Sequence, residues 1–480
     1  MILCSVCGNI TIARRAIHSL RNDMPDKAQV EIPVSLSGVF CLEVFMDDIL
    51  RGRVKTLYFK YLVAASGSAM VASVFGMVDA MMVGKYHGPA GNAALAVFNP
   101  LWSIIYCLGF LAGIGGSVLF ATSRGKGEEN TAQQYFTLSV IYGIVLSVLA
   151  MVGIGLFHEQ LFRFFGADEE LLILAKKYLT PIFFAIPCCV FSNILSAYLR
   201  NDGNPALATK AVIIGGVFNA FGDYFCVFIL DMGILGAGLA TAIGQYVAIF
   251  IMLLHFVGKK NTLKFIKPVS ICKKIRNITL TGFSTAINDL AMGIIGILFN
   301  RQIMTWLDSD ALAVYGVITQ ITAFAQCLAY GAGQAGQPII SQSYGAGQYQ
   351  RIKECLKYGL YTCVGMGIFW VIVMLAFPNI IMNFFMNPTP EVMKIAPNIL
   401  RAYGISYILL PFNLFATYYF QAMMKPNISM IASLARGAVI SGAMIMLLPL
   451  VLGAGSVWYA MLITEIIVAV FGVIYMVKCT

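Results

Sequence analysis

Charge is what this sequence has least of. Only 11% of its 480 residues are Asp, Glu, Lys or Arg, where a soluble globular domain carries roughly 25%. With 59% hydrophobic residues, too few polar side chains remain to cover two or three soluble domains, which excludes a water-soluble multidomain protein. Histidine is rarer still, at four positions, none placed for a catalytic or metal constellation. HExxH and GxSxG are missing, and the GKG at 125–127 lacks the spacing of a GxxxxGK[ST] phosphate loop. Nothing here predicts an enzyme or ATP-driven chemistry. The twelve cysteines are scattered, several within apolar runs, as at Cys188 and Cys189. Cys4 and Cys7 form one CxxC with no second pair at zinc-ligand spacing, so neither a disulfide framework nor a metal site is expected.

What the sequence does have is long apolar runs. A spanning helix needs ~20 mostly apolar residues, and 56–478 reads as twelve of them, at about 56–83, 92–122, 132–157, 171–199, 207–230, 234–257, 277–306, 311–342, 352–382, 393–423, 428–452 and 455–477. The expected fold is an all-α polytopic membrane protein with no room for a separate soluble domain. Residues 1–50 have mixed polarity and no span-length apolar run, nor the apolar core and cleavage site of a signal peptide. They read as a disordered N-terminal extension, with Met46 as an alternative start.

The net charge of +10 does not come from a clustered basic face, so nucleic acid is not an expected partner. It follows the positive-inside bias instead. With the start inside, twenty basic residues fall on inner segments, among them Arg51, Arg124, Arg200, Lys259–Arg276, Arg351 and Lys478, and seven on outer ones: Lys85, Arg163, Lys176, Lys177, Arg301, Lys394 and Arg401. Both termini are expected in the cytoplasm of a multi-pass cell-membrane protein.

The most basic stretch, 258–276, lies near the middle and reads as a cytoplasmic linker between halves at 51–257 and 277–480. The halves repeat each other. ALAVF at 94–98 matches ALAVY at 311–315, and LGAG recurs at 235–238 and 452–455. Gly113, Gly116, Ser123, Gly125 and Gly127 match Gly333, Gly336, Ser343, Gly345 and Gly347 at nearly the same spacing. The chain therefore reads as two six-helix lobes produced by internal duplication, related by an axis along the membrane normal. Two parallel bundles with a cleft between them suit alternating access.

An ionisable side chain within a span is costly and is a functional candidate by default. Asp79 ends the first span. Asp223 follows Asn219 by four residues, so both project from one helix face and could hold a proton or sodium ion between helices, where desolvation penalises the charged carboxylate. Asp289, Gly293, Gly296 and Asn300, with Asn288 adjacent, form a small polar stripe on the seventh span that reads as a second site or as a packing seam. Glu465 and Arg436 read equally well as a structural ion pair. The abundant aromatics and methionines would suit amphipathic organic cations beside such acids.

At these residues the sequence resembles the multidrug and toxic compound extrusion (MATE) family, in its bacterial multidrug-efflux branch, over about residues 50–478. The resemblance rests on VDAMMVGKYHG (78–88), SRGKGEENTAQQ (123–134), LRNDGNP (199–205), NAFGD (219–223), TGFSTAINDLAMGIIGILFN (281–300) and GAGQAGQPIISQSYGAG (331–347). It implies a V-shaped two-lobe antiporter exchanging small organic compounds for H⁺ or Na⁺, with no other cofactor. It also implies a coupling-ion site at Asp79, Asn219 and Asp223, with neighbours at Asn193 and Thr241. A possible second site would take Asp289, shortened from the usual Glu, and Glu465. Membrane lipids and a small-molecule substrate are the expected partners of a monomer. Two departures stand out: Ala64 or Ala65 where the first helix usually has a proline, and GFS at 282–284 where a Gly-x-Pro turn is common. A lipid-linked saccharide flippase of the same superfamily is the alternative transporter reading, disfavoured by twelve spans and intramembrane acids. A membrane-embedded enzyme is the alternative from another class.

Overall fold

The computed structural model describes residues 49–386 and 388–479; the expectation for the N-terminal extension and its CxxC falls outside them, save at residues 49 and 50. Every regular element among the described residues is helical. Twelve helices are long and apolar enough to span a membrane: α1 Val54–Gly88, α2 Ala90–Gly125, α3 Glu129–Phe164, α4 Glu169–Asn201, α5 Pro205–Ile229, α6 Gly233–Val257, α7 Ile271–Trp306, α8 Ser309–Gly345, α9 Tyr349–Ala376, α10 Pro390–Ala422, α11 Pro426–Leu452 and α12 Ala454–Lys478. A short helix, Pro378–Phe385, follows α9.

The breaks between spans have local causes. Gly88 separates α1 from α2 at φ 65°, ψ −149°, a region essentially reserved for glycine. Asp168 and Asp308 cap α4 and α8, accepting from the backbone N–H of Leu171 at 2.9 Å and Ala311 at 2.8 Å; such caps satisfy otherwise orphaned donors. Pro205, Pro378, Pro390 and Pro426 each stand in a first turn, where the missing N–H costs nothing. Prolines inside α4, α8, α10 and α11 are tolerated because neighbouring helices can satisfy the freed carbonyls. α5 and α11 also each contain a π turn, at Phe225–Ile229 and Ala435–Val439.

Two cores follow the sequence repeat. One is built on α2–α6 around Phe98, Phe120, Ile186 and Tyr198, the other on α8–α12 around Ile318, Leu400 and Tyr407. The first helix of each half runs from one core to the other. α1 begins with Val54, Leu57, Tyr58 and Tyr61 packed against Ile339, Phe415 and Tyr419 of the second half, and reaches the first core at Val83. α7 begins in the first core at Ile278 and ends in the second at Ile295, Phe299 and Ile303.

The halves meet where α2 and α8 cross near their C-terminal ends. A Cβ on Gly125 would stand 2.1 Å from the Gln342 carbonyl oxygen, and one on Gly345 would stand 2.1 Å from the Thr122 carbonyl oxygen. These glycines and carbonyls occupy equivalent positions in the two repeats, so the crossing is symmetric. Gly115 against the Ile278 carbonyl and Gly282 against the Leu111 carbonyl extend the close approach along α7. Gln342 adds a cross-half hydrogen bond from its Nε2 to the Asn201 carbonyl at 3.1 Å, and the Tyr61 hydroxyl donates to the Arg200 carbonyl at 3.0 Å.

Candidate functional site

Beyond that crossing, toward the N-terminal ends of α2 and α8, lies a cavity of about 890 Å³. That is within the usual range for small-molecule sites. Its wall comes mainly from the first half: Ala72–Ala80 of α1, Asn92–Tyr106 of α2, Tyr178 and Ser192 of α4, Gly215–Asn219 of α5 and Thr241–Ala248 of α6. The second half adds Gln320, Ala323 and Phe324 of α8. Phe75, Met77, Trp102, Tyr106 and Phe324 give it apolar and aromatic surface, with the rings of Trp102 and Tyr106 stacked at 5.5 Å.

The polar part of the wall holds three of the five residues expected in the first half, Asp79, Asn219 and Thr241, and a fourth, Asp223, stands behind it. Asp79 is buried and accepts from the Tyr178 hydroxyl through Oδ2 at 2.8 Å. Asp223 is fully buried one layer behind the cavity wall, within electrostatic reach of Asp79. Asn219 lies between them and α6: its Nδ2 donates to Asp223 Oδ1 at 3.4 Å and to Thr241 Oγ1 at 3.1 Å. Asp79 Oδ1 and Asp223 Oδ2 are buried with no hydrogen-bond partner among the described residues. Two such acceptors in one place are unusual, since buried polar atoms are nearly always paired. Asn193 stands apart. Its Nδ2 donates to the Cys189 carbonyl of its own helix at 3.1 Å, and its side chain packs over Gly109 of α2.

Sequence reasoning did not single out Tyr178. Its ring is held edge-on against Phe98, centroids 4.9 Å apart, and its hydroxyl also faces Thr241. Nothing distinguishes it among 22 tyrosines until α4 is packed against α1. The π turn that begins directly after Asp223 and Tyr224 was likewise invisible. Such turns concentrate at functional positions because they re-aim the side chains beside them.

In the second half the expected residues do not come together. Asp289 is half-buried and has no hydrogen-bond partner among the described residues. The neighbouring Asn288 is buried, with both amide atoms unpaired. Asn300 is exposed on the outside of α7. Glu465 is buried on α12 and forms an ion pair with Arg436 on the π turn of α11, Nε to Oε1 at 2.8 Å. Asn413 Nδ2 donates to its other oxygen at 2.5 Å. This pair borders a small cavity of about 110 Å³ with Tyr315, Thr322, Gln326 and Tyr403. A polar hub not foreseen lies where α7 meets α10: Gln421 Nε2 reaches the Thr281 carbonyl, Ser284 Oγ and Thr285 Oγ1 at 3.0, 2.6 and 2.7 Å. It fixes the helix at the GFS segment that has no proline. Among the described residues no three His, Cys, Asp or Glu side chains gather as a metal site.

Twelve spans in two repeated bundles, with a large cavity between them and buried acids at and behind its wall, define a membrane transporter. The MatE family model matches the chain twice, over residues 64–225 and 284–447, one copy per half, and the chain belongs to that family. It is similar to "Probable multidrug resistance protein YoeA" of Bacillus subtilis, 25% identical over 73% of this chain and 77% of that one. It is also similar to the multidrug export protein MepA of Staphylococcus saprophyticus, 22% identical over 88% and 94%. Among solved structures it superposes on an outward-facing multidrug resistance MATE family transporter at TM-score 0.83, with 21% identity over 90% of this chain and 97% of that one. The chain is a MATE-type transporter and not an enzyme.

Proposed function

We propose that the chain is a secondary active antiporter of the cell membrane. It would export small organic, cationic and amphipathic compounds in exchange for H⁺ or Na⁺, acting as a monomer. The observation that carries this reading is the pair of buried carboxylates with unpaired oxygens, Asp79 at the wall of the cavity between the bundles and Asp223 directly behind it. The names of the similar proteins support the export of drugs. The aromatic surface beside Asp79 supports a cationic, amphipathic substrate.

Coupling follows from competition for the same charge. A coupling cation held by Asp79, Asp223, Asn219 and Thr241 removes the negative charge that attracts a cationic substrate. The two ligands therefore bind with opposing effects on each other, as antiport requires. The symmetric crossing of α2 and α8 closes the cavity on one side. By the distribution of Lys and Arg that side is cytoplasmic, with both termini, and the cavity opens outward. In the second half Asp289 is the acid available to a second cation or substrate, because Glu465 is already neutralised by Arg436. Replacement of Asp79 or Asp223 by Asn should abolish efflux of a cationic dye from cells, with membrane expression unchanged. Undiminished efflux in both variants would overturn this site.

A further inference from the structure

The linker between the halves does more than join them. Residues 258–270 form no helix, yet they are fastened to the first half along their length. Asp202 accepts from the Thr262 backbone N–H at 2.9 Å and from the Thr262 hydroxyl, and it also binds Arg124 and His255. Gln133 Nε2 donates to the Thr262 carbonyl at 2.8 Å, and Gln133 Oε1 accepts from the Lys264 N–H at 2.7 Å. The Ile266 and Val269 N–H groups bond Thr137 Oγ1 and Gln134 Oε1, at 3.1 and 3.2 Å. Leu263 is buried, and the Phe265 ring lies 5.0 Å from that of Phe136. A segment so fastened presents a fixed outer face.

That face is basic and apolar together. Lys259, Lys264, Lys267, Lys273 and Arg276 are exposed, and none of them forms an ion pair among the described residues. No acid occurs in 258–276. Of the acids nearest the strap, Glu129 and Asp202 are engaged by Arg124, and Glu128 stands exposed at the start of α3; Glu159, Glu169 and Glu170 lie at the far ends of α3 and α4. Between the cations, Phe265 and Val269 are 63% and 62% exposed. The length of α7 carries the face toward headgroup height. α7 has 36 residues, about 54 Å at 1.5 Å per residue, against a hydrocarbon core of about 30 Å, so its first turns, carrying Lys273 and Arg276, emerge from the core beside the linker.

We propose that this strap is a docking surface for anionic phospholipid headgroups: its lysines meet the phosphates, and Phe265 and Val269 enter the interfacial layer. Charge complementarity selects this occupant, since basic clusters directly beside a span are attracted to anionic lipid surfaces. Because the strap is bonded to α3 and to Asp202 directly after α4, and leads into α7, bound lipid would hold the first half and the start of the second half at one depth.

The test incubates the purified full-length chain in detergent with equimolar phosphatidylglycerol and phosphatidylcholine and measures lipid retained per protein by native mass spectrometry. The wild type should retain phosphatidylglycerol in an excess of at least about fivefold. Replacing Lys259, Lys264, Lys267 and Lys273 together by Gln should bring the excess below about twofold. Lys85→Gln with Lys177→Gln, on the opposite face, should leave it unchanged. A second arm needs no variant: at 1 M salt, where screening acts within about 3 Å, the wild type should lose most of its excess. Equal retention of both lipids by the wild type, or an excess that survives both substitution and salt, would overturn the proposal. So would displacement by soluble polyglutamate without any preference for phosphatidylglycerol, which would mark the face as a site for acidic protein segments.

Discussion

At the scale of single residues, the proposed coupling site consists of a few polar side chains placed where burial makes each of them consequential. Asp79 is oriented by one donor, the hydroxyl of Tyr178 at 2.8 Å. A hydrogen bond to a charged group contributes about 1.5–3 kcal/mol. Tyr178→Phe should therefore shift the coupling-ion concentration at half-maximal transport by roughly tenfold while export persists; Asp79→Asn should abolish export altogether. The ion pair of Arg436 and Glu465 makes a different prediction. Removing one partner leaves a buried uncompensated charge and should cost about 3–5 kcal/mol. Glu465→Met alone should lower the thermal unfolding midpoint in detergent clearly. Combining it with Arg436→Met should restore most of the loss, because Asn413 keeps its bond to the Glu465 backbone carbonyl at 2.9 Å. A double variant as unstable as the single one would show that the pair has a role beyond mutual neutralisation.

At the scale of elements, the proposed antiport requires the crossing of α2 and α8 to part for the cavity to face the other way. Gly125→Ala or Gly345→Ala places a Cβ about one ångström inside van der Waals reach of a carbonyl on the opposite helix. Either should part the helices, slow efflux severely and make thiols introduced near the crossing reactive from the cytoplasmic side. Because each substitution separates the same pair of helices, the double variant should be little worse than either single one. Much of this level was legible in advance. The number of spans follows from apolar run length alone, and the repeat places Gly125 and Gly345 in register before any packing is known. The run at 352–382 was less legible, since apolar composition continues through Pro378 whereas the helix stops at Ala376 and resumes as Pro378–Phe385. Asn219 and Asp223 were legible because a four-residue spacing fixes a shared face within one helix. Tyr178, the Gln421 hub and the π turns depend on which helices become neighbours, and no local pattern encodes that. Asn300 shows the converse: its helical spacing from Asp289 is real, but the face turns outward at that level.

At the scale of the whole molecule, the duplication explains both the cavity and its asymmetry. Each half lends the beginning of its first helix to the other's core, so the bundles are joined at one membrane face and free to part at the other. The polar chemistry has not been duplicated with the scaffold. The first half holds two unneutralised buried acids beside the large cavity; in the second, Glu465 is neutralised by Arg436 beside a small one, and Asp289 is only half-buried. Transport should therefore depend on the first half's acids. The direct test is uptake of a cationic dye into proteoliposomes under a pH gradient or a sodium gradient, each imposed alone, for the wild type, Asp79→Asn and Asp223→Asn. One of the two gradients should drive concentrative uptake by the wild type, and neither variant should respond to it. Gradient-driven uptake that persists in both variants, or wild-type uptake that ignores both gradients, would contradict the assignment of Asp79 and Asp223 as the coupling site.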